Sequence, residues 1–192
     1  MAGIGNETVS PDCSFPLPVE PRKRFVFTFH SPNGPGLNCP LVTDYNGVYF
    51  RREGLGGLYI SGLSPEEHEE PDDHHDLESI NHDFFDNQIW PSLAKRVKSF
   101  EELKLRTAWA GHYDYNYVDH NLVIGSHPYF KNFLFANGST GHGLQHSPAV
   151  GRAISELIMY GEYRTVDLNR LGFNRFLDEE YMTNRKSESN IY

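Results

Sequence analysis

A strictly alternating segment, RFVFTFH at residues 24–30, constrains the fold of this chain more than any other feature. Phe25, Phe27 and Phe29 fall on one face of an extended backbone, and the residues between them fall on the other. A period of two is typical of a strand with one buried face. The chain must therefore supply further strands to pair with this one, and an apolar layer to cover its phenylalanine face.

Four more segments have the character of strands. Residues 47–53 and 57–62 are separated by the glycines of GLGG, which indicates a hairpin. ELKLRTAWAGHYDY at 102–115 predicts a long strand that is rich in aromatic residues, and YFKNFLFA at 129–136 predicts a short buried one.

The pattern changes to a helical period between Asn81 and Val97, where apolar residues recur four positions apart. Pro91 is expected to bend this helix or to divide it, because proline has no N–H and clashes with the preceding turn. A second amphipathic helix follows a glycine-rich loop. It ends at Gly161, which has the usual position of a glycine just after a helix C-terminus.

Strands outnumber helices and lie close together in the sequence, so the predicted fold class is α+β. We expect an antiparallel sheet with packed helices, followed by one strand–loop–helix unit of a different character. The predicted organisation is a Pro-rich lead-in at 1–21, a sheet-and-helix domain at 22–118, the strand–loop–helix unit at 119–162 and a polar tail at 163–192.

Composition excludes several classes of partner. The formal net charge of −9 argues against nucleic acid, since phosphate backbones are bound by clustered Lys and Arg. The one basic cluster, Arg22-Lys23-Arg24, has the position of a solvated strand end. No apolar run approaches the roughly 18 residues of a membrane span. Cys13 and Cys39 cannot form a disulfide framework, which favours a reducing compartment.

Two segments share letters with functional motifs without meeting their requirements. The loop HEEPDDHHD, from residue 68, contains histidines and aspartates, but adjacent residues of a loop do not converge on one metal ion, and we expect no metal site. GLGGLYISG at 54–62 lies between two predicted strands, whereas a dinucleotide fingerprint opens a helix.

The segment NGSTGHGLQHSPAVGRA, from residue 137, has the composition of a ligand-binding loop. Gly138, Gly141 and Gly143 would let backbone N–H groups approach a flat ligand without interference from Cβ atoms. The helix behind them supplies unpaired N–H groups and the positive end of its dipole. Two interpretations remain open: a plain connection into a surface helix, or a site for an anionic or polar ring ligand.

The motifs in this region carry a resemblance to a known family. WAGHYDYNYVDHNLVIGSHP (109–128), the loop and helix after it, and LGFNRF (171–176) follow one another as in the C-terminal part of the D-amino-acid-oxidase-type flavoproteins. That superfamily includes sarcosine oxidase and glycine oxidase. PVEPRKRFVF, YFRREGLG and IWP extend the resemblance to about residues 18–178. They are similar to a mitochondrial subgroup, the FAD-dependent oxidoreductase domain-containing proteins, which is associated with assembly of respiratory complex I.

The resemblance implies FAD as the cofactor and hydride transfer from a carbon beside an amine nitrogen to the flavin. It implies that the loop lies against the pyrimidine end of the flavin ring. His142 would assist the electrostatics there or would simply bond a backbone carbonyl, and both roles remain open. No residue is assigned a covalent catalytic role. The implied contacts, mostly through backbone amides, come from Gly138, Ser139, Thr140, Gly141, His142, Gly143 and Leu144.

The implied substrate pocket departs from the family pattern. Members of the glycine oxidase type grip the substrate carboxylate with an arginine shortly after the W-x-G segment, where this chain has Tyr113 and then Asp114. Tyr49 and Arg51, on a predicted strand, are a weaker substitute. His112 lies where sarcosine oxidases carry a flavin-linked cysteine, so a sulfur link is excluded. An amine-like substrate is therefore expected rather than a simple amino acid.

In the family, a G-x-G-x-x-G unit that binds the ADP half of FAD precedes this region. We therefore expect a C-terminal fragment, a short isoform or a partial gene model, whose flavin site is incomplete and whose activity is lost. Two functions are carried forward. One is an FAD-dependent amine oxidoreductase, and the other is a non-catalytic module that interacts with complex I assembly intermediates. A mitochondrial location follows from the resemblance alone.

Overall fold

A computed structural model of the chain describes residues 17–64 and 76–177. Residues 68–75 of the acidic, histidine-rich segment, which include all of its histidines, lie outside the described residues. The chain divides into two compact units. One is Arg22–His112, and the described part of the other comprises residues 17–21 and 113–177.

A five-stranded sheet is the framework of the unit Arg22–His112, with the strand order β2-β3-β4-β1-β5. The pairs β1–β4, β4–β3 and β3–β2 are antiparallel, which confirms the predicted hairpin and the α+β class. The strands are β1 (Val19–His30), β2 (Val42–Thr43), β3 (Tyr49–Arg52), β4 (Leu58–Gly62) and β5 (Lys104–Asn116).

The alternating phenylalanines of β1 form the centre of this unit's core. Phe27 and Phe29 are fully buried, and Phe25 nearly so. Phe100 is packed edge-on against Phe29 and Tyr59, with ring centroids 5.0 Å apart in both pairs. Edge-to-face packing of this kind adds about 0.5–1.5 kcal/mol per pair to the gain from burial alone. The strand prediction and its buried face are confirmed.

The helical segment that covers this core is continuous over residues 82–96 and changes its hydrogen-bond pattern just before Pro91. Helix α1 (His82–Phe84) is capped by Asn81, whose side-chain oxygen accepts the N–H of Phe84 at 3.1 Å. A π-helical turn (Phe85–Ile89) then leads into α2 (Trp90–Arg96), and a 3-10 turn (Lys98–Glu102) follows. Pro91 follows directly after the π-helical turn, and Phe85, Ile89 and Trp90 all have right-handed helical backbones. The helix therefore continues through the proline, with a π-helical turn before it, and the alternative of two separate pieces is wrong.

The second unit contains a two-stranded antiparallel sheet, β6 (Val123–Ser126) with β7 (Leu134–Asn137). The predicted strand at 129–136 began five residues too early, because residues 129–133 form a turn organised by His127. The Nδ1 atom of His127 accepts the N–H groups of Tyr129 at 3.1 Å and Phe130 at 3.2 Å. Those N–H groups are therefore unavailable for strand pairing.

Helix α3 (Gly143–Tyr160) packs on this small sheet, buries Ala153 and ends at Gly161 as predicted, with φ 74°. Pro148 lies inside the helix and cannot donate to the carbonyl oxygen of Leu144. The hydroxyl of Ser147 donates to that oxygen instead, at 2.9 Å. In the described part of the chain, no helix is both long enough and apolar enough to cross a membrane.

Two 3-10 turns, Asn169–Leu171 and Phe173–Leu177, complete the unit. Phe173 is 1% exposed and stacks on Phe135, with ring centroids 5.0 Å apart. The part of the predicted polar tail that is described, residues 163–177, therefore contributes to the core of this unit.

Candidate functional site

The loop between β7 and α3 has an unusual backbone. Gly138, Thr140 and Gly141 have φ values of 69°, 47° and 83°, in the left-handed region. Glycine enters this region at little cost, but a β-branched residue such as Thr140 is strained there. The surroundings of the loop must supply interactions that hold this conformation.

Close packing explains two of the glycines. A Cβ atom at Gly138 would lie 3.2 Å from the Cγ2 atom of Val19 and 3.3 Å from the Cβ atom of Asn116. A Cβ atom at Gly143 would lie 3.0 Å from the Oγ atom of Ser139. Gly138 thus lets the loop approach the rest of its own unit, and Gly143 lets the helix begin tightly against the loop.

Asp114, near the end of β5, is the main anchor of the loop. Its Oδ2 atom accepts the N–H of Ser139 at 2.9 Å, and its Oδ1 atom accepts the hydroxyl of the same serine. Its carbonyl oxygen accepts the N–H of Thr140, also at 2.9 Å. Three hydrogen bonds from one residue therefore define the middle of the loop.

Asn116 is a second anchor and is completely buried. Its N–H donates to the hydroxyl oxygen of Thr140 at 3.2 Å. Its side-chain amide donates to the carbonyl oxygen of Asn121 at 2.6 Å and to the carboxylate of Asp119 at 2.7 Å. The loop is thereby connected to the turn that follows β5.

Four backbone N–H groups of the loop already have partners within the protein. Besides the two held by Asp114, the N–H of Gly138 donates to the side chain of Asn137 at 2.7 Å. The N–H of His142 donates to the carbonyl oxygen of Ser139 at 2.9 Å. Contacts from these residues to a ligand stay a prediction, and they would have to use other atoms.

The N–H groups of Gly141, Gly143 and Leu144 have no acceptor among residues 17–64 and 76–177. Those of Gly143 and Leu144 belong to the first turn of α3, which leaves them without intrahelical partners, and no described side chain caps that turn. Leu144 is 89% exposed. This donor set suits the oxygen-rich edge of a flavin ring, because it offers hydrogen bonds and the positive end of the helix dipole.

The side chain of His142 contacts a backbone carbonyl, as the simpler of the two interpretations of this residue predicts. It is the N-terminal cap residue of α3, yet its side chain makes no capping hydrogen bond. Its Nδ1 atom lies 3.1 Å from the carbonyl oxygen of Thr140, and its ring stacks on that of His146 at 6.2 Å.

A cavity of about 460 Å³ adjoins the loop and the first half of α3. Its volume is within the range of roughly 300–1,000 Å³ for small-molecule sites. Its lining combines apolar side chains with three imidazoles. Among the described residues, no group of three or more His, Cys, Asp or Glu side chains could hold a metal ion. The lining includes Leu122, Ile124, Val150, His120, His142 and His146.

Tyr49 and Arg51 lie two residues apart on β3, in the unit Arg22–His112. Burial raises the pKa of Tyr49, and the charge of Arg51 opposes part of that rise. The ring of Tyr49 lies over Gly62, where a Cβ atom would be only 2.5 Å from the phenolic oxygen. Arg51 forms an ion pair with Glu53 and is exposed, so the guanidinium already has an anionic partner.

His112 and Tyr113 are neighbours on β5, and the boundary between the two units falls between them. The Tyr113 ring lies 3.9 Å from the position of a Cβ atom at Gly141, next to the glycine-rich loop. The structure therefore brings Tyr113 together with the predicted loop residues.

Sequence reasoning missed the role of Asp114 and Asn116. Both lie more than 20 residues before the loop they hold, and the motif that contains them, WAGHYDYN, gave no indication of contact with the loop. The acidic side chain of Asp114 inside an aromatic segment, HYDYN, was the only available signal.

Comparisons with known proteins agree with this geometry. The family model described as FAD dependent oxidoreductase matches residues 2–157. FAD-dependent oxidoreductase domain-containing protein 1 of Xenopus laevis is 54% identical over 96% of this chain and 37% of its own length. The chain therefore spans little more than a third of the length of this relative.

Solved structures share the fold. L-proline dehydrogenase from P. horikoshii superposes with a TM-score of 0.72 at 23% identity, covering 86% of this chain and 42% of that one. Glycine oxidase from Geobacillus kaustophilus gives a TM-score of 0.68 at 20% identity, covering 81% of this chain and 39% of that one.

Proposed function

This chain belongs to the FAD dependent oxidoreductase family, and we propose on that premise that its glycine-rich loop and the start of α3 hold the ring of FAD. The cofactor of the family is FAD. The observation that carries the proposal is the group of N–H donors at Gly141, Gly143 and Leu144, which have no acceptor in the described residues. The donors lie at the start of a helix, and their neighbours His142 and His146 line a cavity of about 460 Å³.

The role of these residues is electrostatic. When bound, FAD supplies a hydride acceptor for a carbon beside an amine nitrogen. The three N–H groups and the helix dipole stabilise negative charge on the ring edge that they face. Their positions are fixed without a ligand, because Asp114 and Asn116 form hydrogen bonds with Ser139 and Thr140 of the loop.

An amine is the substrate class that we propose for the whole protein. L-proline dehydrogenase and glycine oxidase, which share the fold, are named for substrates with an amine nitrogen. A simple amino acid is disfavoured, because Tyr113 has no positive charge with which to bind a carboxylate.

Two variants of Leu144 test the flavin site. Leu144→Pro removes the N–H of Leu144, which lies in the first turn of α3 and has no intrahelical acceptor to lose. Leu144→Ala removes the same exposed side chain and keeps the N–H. We expect Leu144→Pro to weaken FAD binding about tenfold, measured by flavin fluorescence, and Leu144→Ala to bind like wild type. Equal affinities for both variants would contradict the proposal.

A second candidate is a non-catalytic module that takes part in assembly of mitochondrial complex I. It is supported by the resemblance of PVEPRKRFVF, WAGHYDYN and GHGLQHSPAVGRA to the mitochondrial subgroup, and by the absence of an arginine at position 113. The test is complementation in cells that lack the protein. Rescue of complex I by the Leu144→Pro variant, together with mitochondrial fractionation, would favour assembly without flavin chemistry.

A further inference from the structure

We propose that Asp114 is the positioning residue of the flavin loop, through hydrogen-bond geometry and not through its charge. The inference rests on the proposed function, since it assigns Asp114 the task of presenting the donors of Gly141, Gly143 and Leu144. Asp114 itself faces Ser139 and Thr140, so it acts through the loop and is not a catalytic residue.

The strain of the loop requires such a residue. Thr140 has φ 47°, and Gly138 and Gly141, two positions before and one after it, are also left-handed. A strained residue persists only where its surroundings over-determine it. Here the carbonyl oxygen of Asp114 holds the N–H of Thr140 at 2.9 Å, and the N–H of Asn116 holds its hydroxyl at 3.2 Å.

The hydrogen bonds to Asp114 also decide which donors stay open. The carboxylate takes both donors of Ser139, and the carbonyl oxygen takes the N–H of Thr140. The carbonyl oxygen of Ser139, thereby fixed, accepts the N–H of His142 at 2.9 Å. The chain reverses at this point, and the next N–H groups begin α3 without a partner in the described residues.

Two substitutions of Asp114 distinguish a role of its hydrogen-bond geometry from a role of its negative charge. An asparagine has the same shape as aspartate. Its oxygen can accept the Ser139 N–H, and its NH₂ group can donate to the Ser139 hydroxyl oxygen, which also accepts. An alanine can do neither. If position and hydrogen bonding are what matter, Asp114→Asn will retain the function of the loop and Asp114→Ala will lose it.

The experiment measures the loop without ligand and then with FAD. Hydrogen exchange of the Ser139 and Thr140 amides reports loop conformation in wild type, Asp114→Asn, Asp114→Ala and the exposed control Glu162→Ala. We expect exchange of the Ser139 amide, which loses its side-chain acceptor in Asp114→Ala, to be faster there by about tenfold or more, and exchange in the other variants to be close to wild type. Titration with FAD should show weaker binding by Asp114→Ala and near wild-type affinity in Asp114→Asn and Glu162→Ala.

The outcomes separate this inference from the proposed function. Unchanged exchange in Asp114→Ala, or equal acceleration in Asp114→Asn and Asp114→Ala, overturns the role of Asp114. If wild type fails to bind FAD while exchange follows the expected order, the role of Asp114 in positioning the loop stands, and the proposed flavin site is contradicted instead. If Asp114→Ala does not fold, Ser139→Ala, which removes only the hydroxyl contact, replaces it and should show a smaller acceleration of the Thr140 amide.

Discussion

The guanidinium of Arg175 lies 2.8 Å from the carboxylate of Asp119, and their side chains are only 8% and 2% exposed. Arg175 also donates to the carbonyl oxygens of Leu171 and Leu122 and lies over the ring of Phe176 at 4.1 Å. Its five donors are well suited to several acceptors at once. The pair therefore ties the last described turn to the segment after β5.

Removing one partner of this pair should destabilise the protein strongly. Arg175→Met removes the guanidinium that donates to the buried carboxylate of Asp119, and loss of one member of a buried pair costs about 3–5 kcal/mol. Urea unfolding measures the change. The control is Arg164→Met, which breaks an ion pair with Glu162 whose side chains are 58% and 61% exposed. An exposed pair contributes at most about 1 kcal/mol, and similar losses in both variants would contradict the assignment.

His127 should make the stability of the second unit depend on pH. Burial lowers the pKa of His127 below its ordinary value of 6.5, and its Nδ1 atom accepts two N–H groups, so the neutral ring is the folded form. The unfolded chain therefore binds the proton first. The free energy of unfolding is fully retained above pH 6.5 and decreases as the pH falls below it.

Unfolding by urea at a series of pH values tests this, with His127→Asn as the informative variant. Its side-chain oxygen can accept the same N–H groups but does not titrate, so the decrease below pH 6.5 should shrink. His146→Gln, on the exposed surface of α3, serves as the control and should keep the wild-type slope.

Gly151 is expected to be a stabilising site. It lies inside α3, and a Cβ atom there would meet nothing within 4 Å. Gly151→Ala should therefore raise the free energy of unfolding by about 0.5–1 kcal/mol, because alanine loses less backbone entropy in a helix. Gly138→Ala is the matched opposite, since φ 69° and the side chain of Val19 both oppose a Cβ atom. Thermal unfolding should move upward in the first variant and downward in the second.

Short-range patterns predicted much of this fold. Phe25, Phe27 and Phe29 are buried on one strand face as their alternation requires, and Gly161 ends α3 in a left-handed conformation. These features are set by residues within one or two turns of each other, so periodicity and propensity are sufficient. The glycine-rich loop was recognised for the same reason.

The interactions that hold the site were beyond such patterns. Asp114 and Ser139 are 25 positions apart, and Asp119 and Arg175 are 56 apart, so only the folded chain brings them together. The start of β7 was misplaced because His127 takes the N–H groups of the residues after it. A side chain that competes for backbone hydrogen bonds leaves no periodic signal.

Glu156 should anchor the segment that follows α3. It accepts the hydroxyl of Thr165, the N–H of Arg164 at 2.7 Å and the N–H of Thr165 at 3.1 Å. These bonds, the Thr165 hydroxyl first, hold the pKa of Glu156 below its ordinary value of 4.5. The carboxylate therefore contributes stability that is present above pH 4.5 and is lost as the pH falls below it.

Glu156→Ala removes all three acceptor contacts to Arg164 and Thr165. We expect faster proteolysis within residues 162–168 at neutral pH and a smaller loss of stability on acidification than in wild type. Glu162→Ala, at an exposed acidic residue of the same segment, should change neither measurement, because Glu162 pairs only with the exposed side chain of Arg164 in the described structure. If Glu156→Ala resisted protease as well as wild type, the segment would be held by Phe173 and its neighbours alone, and Glu156 would have no anchoring role.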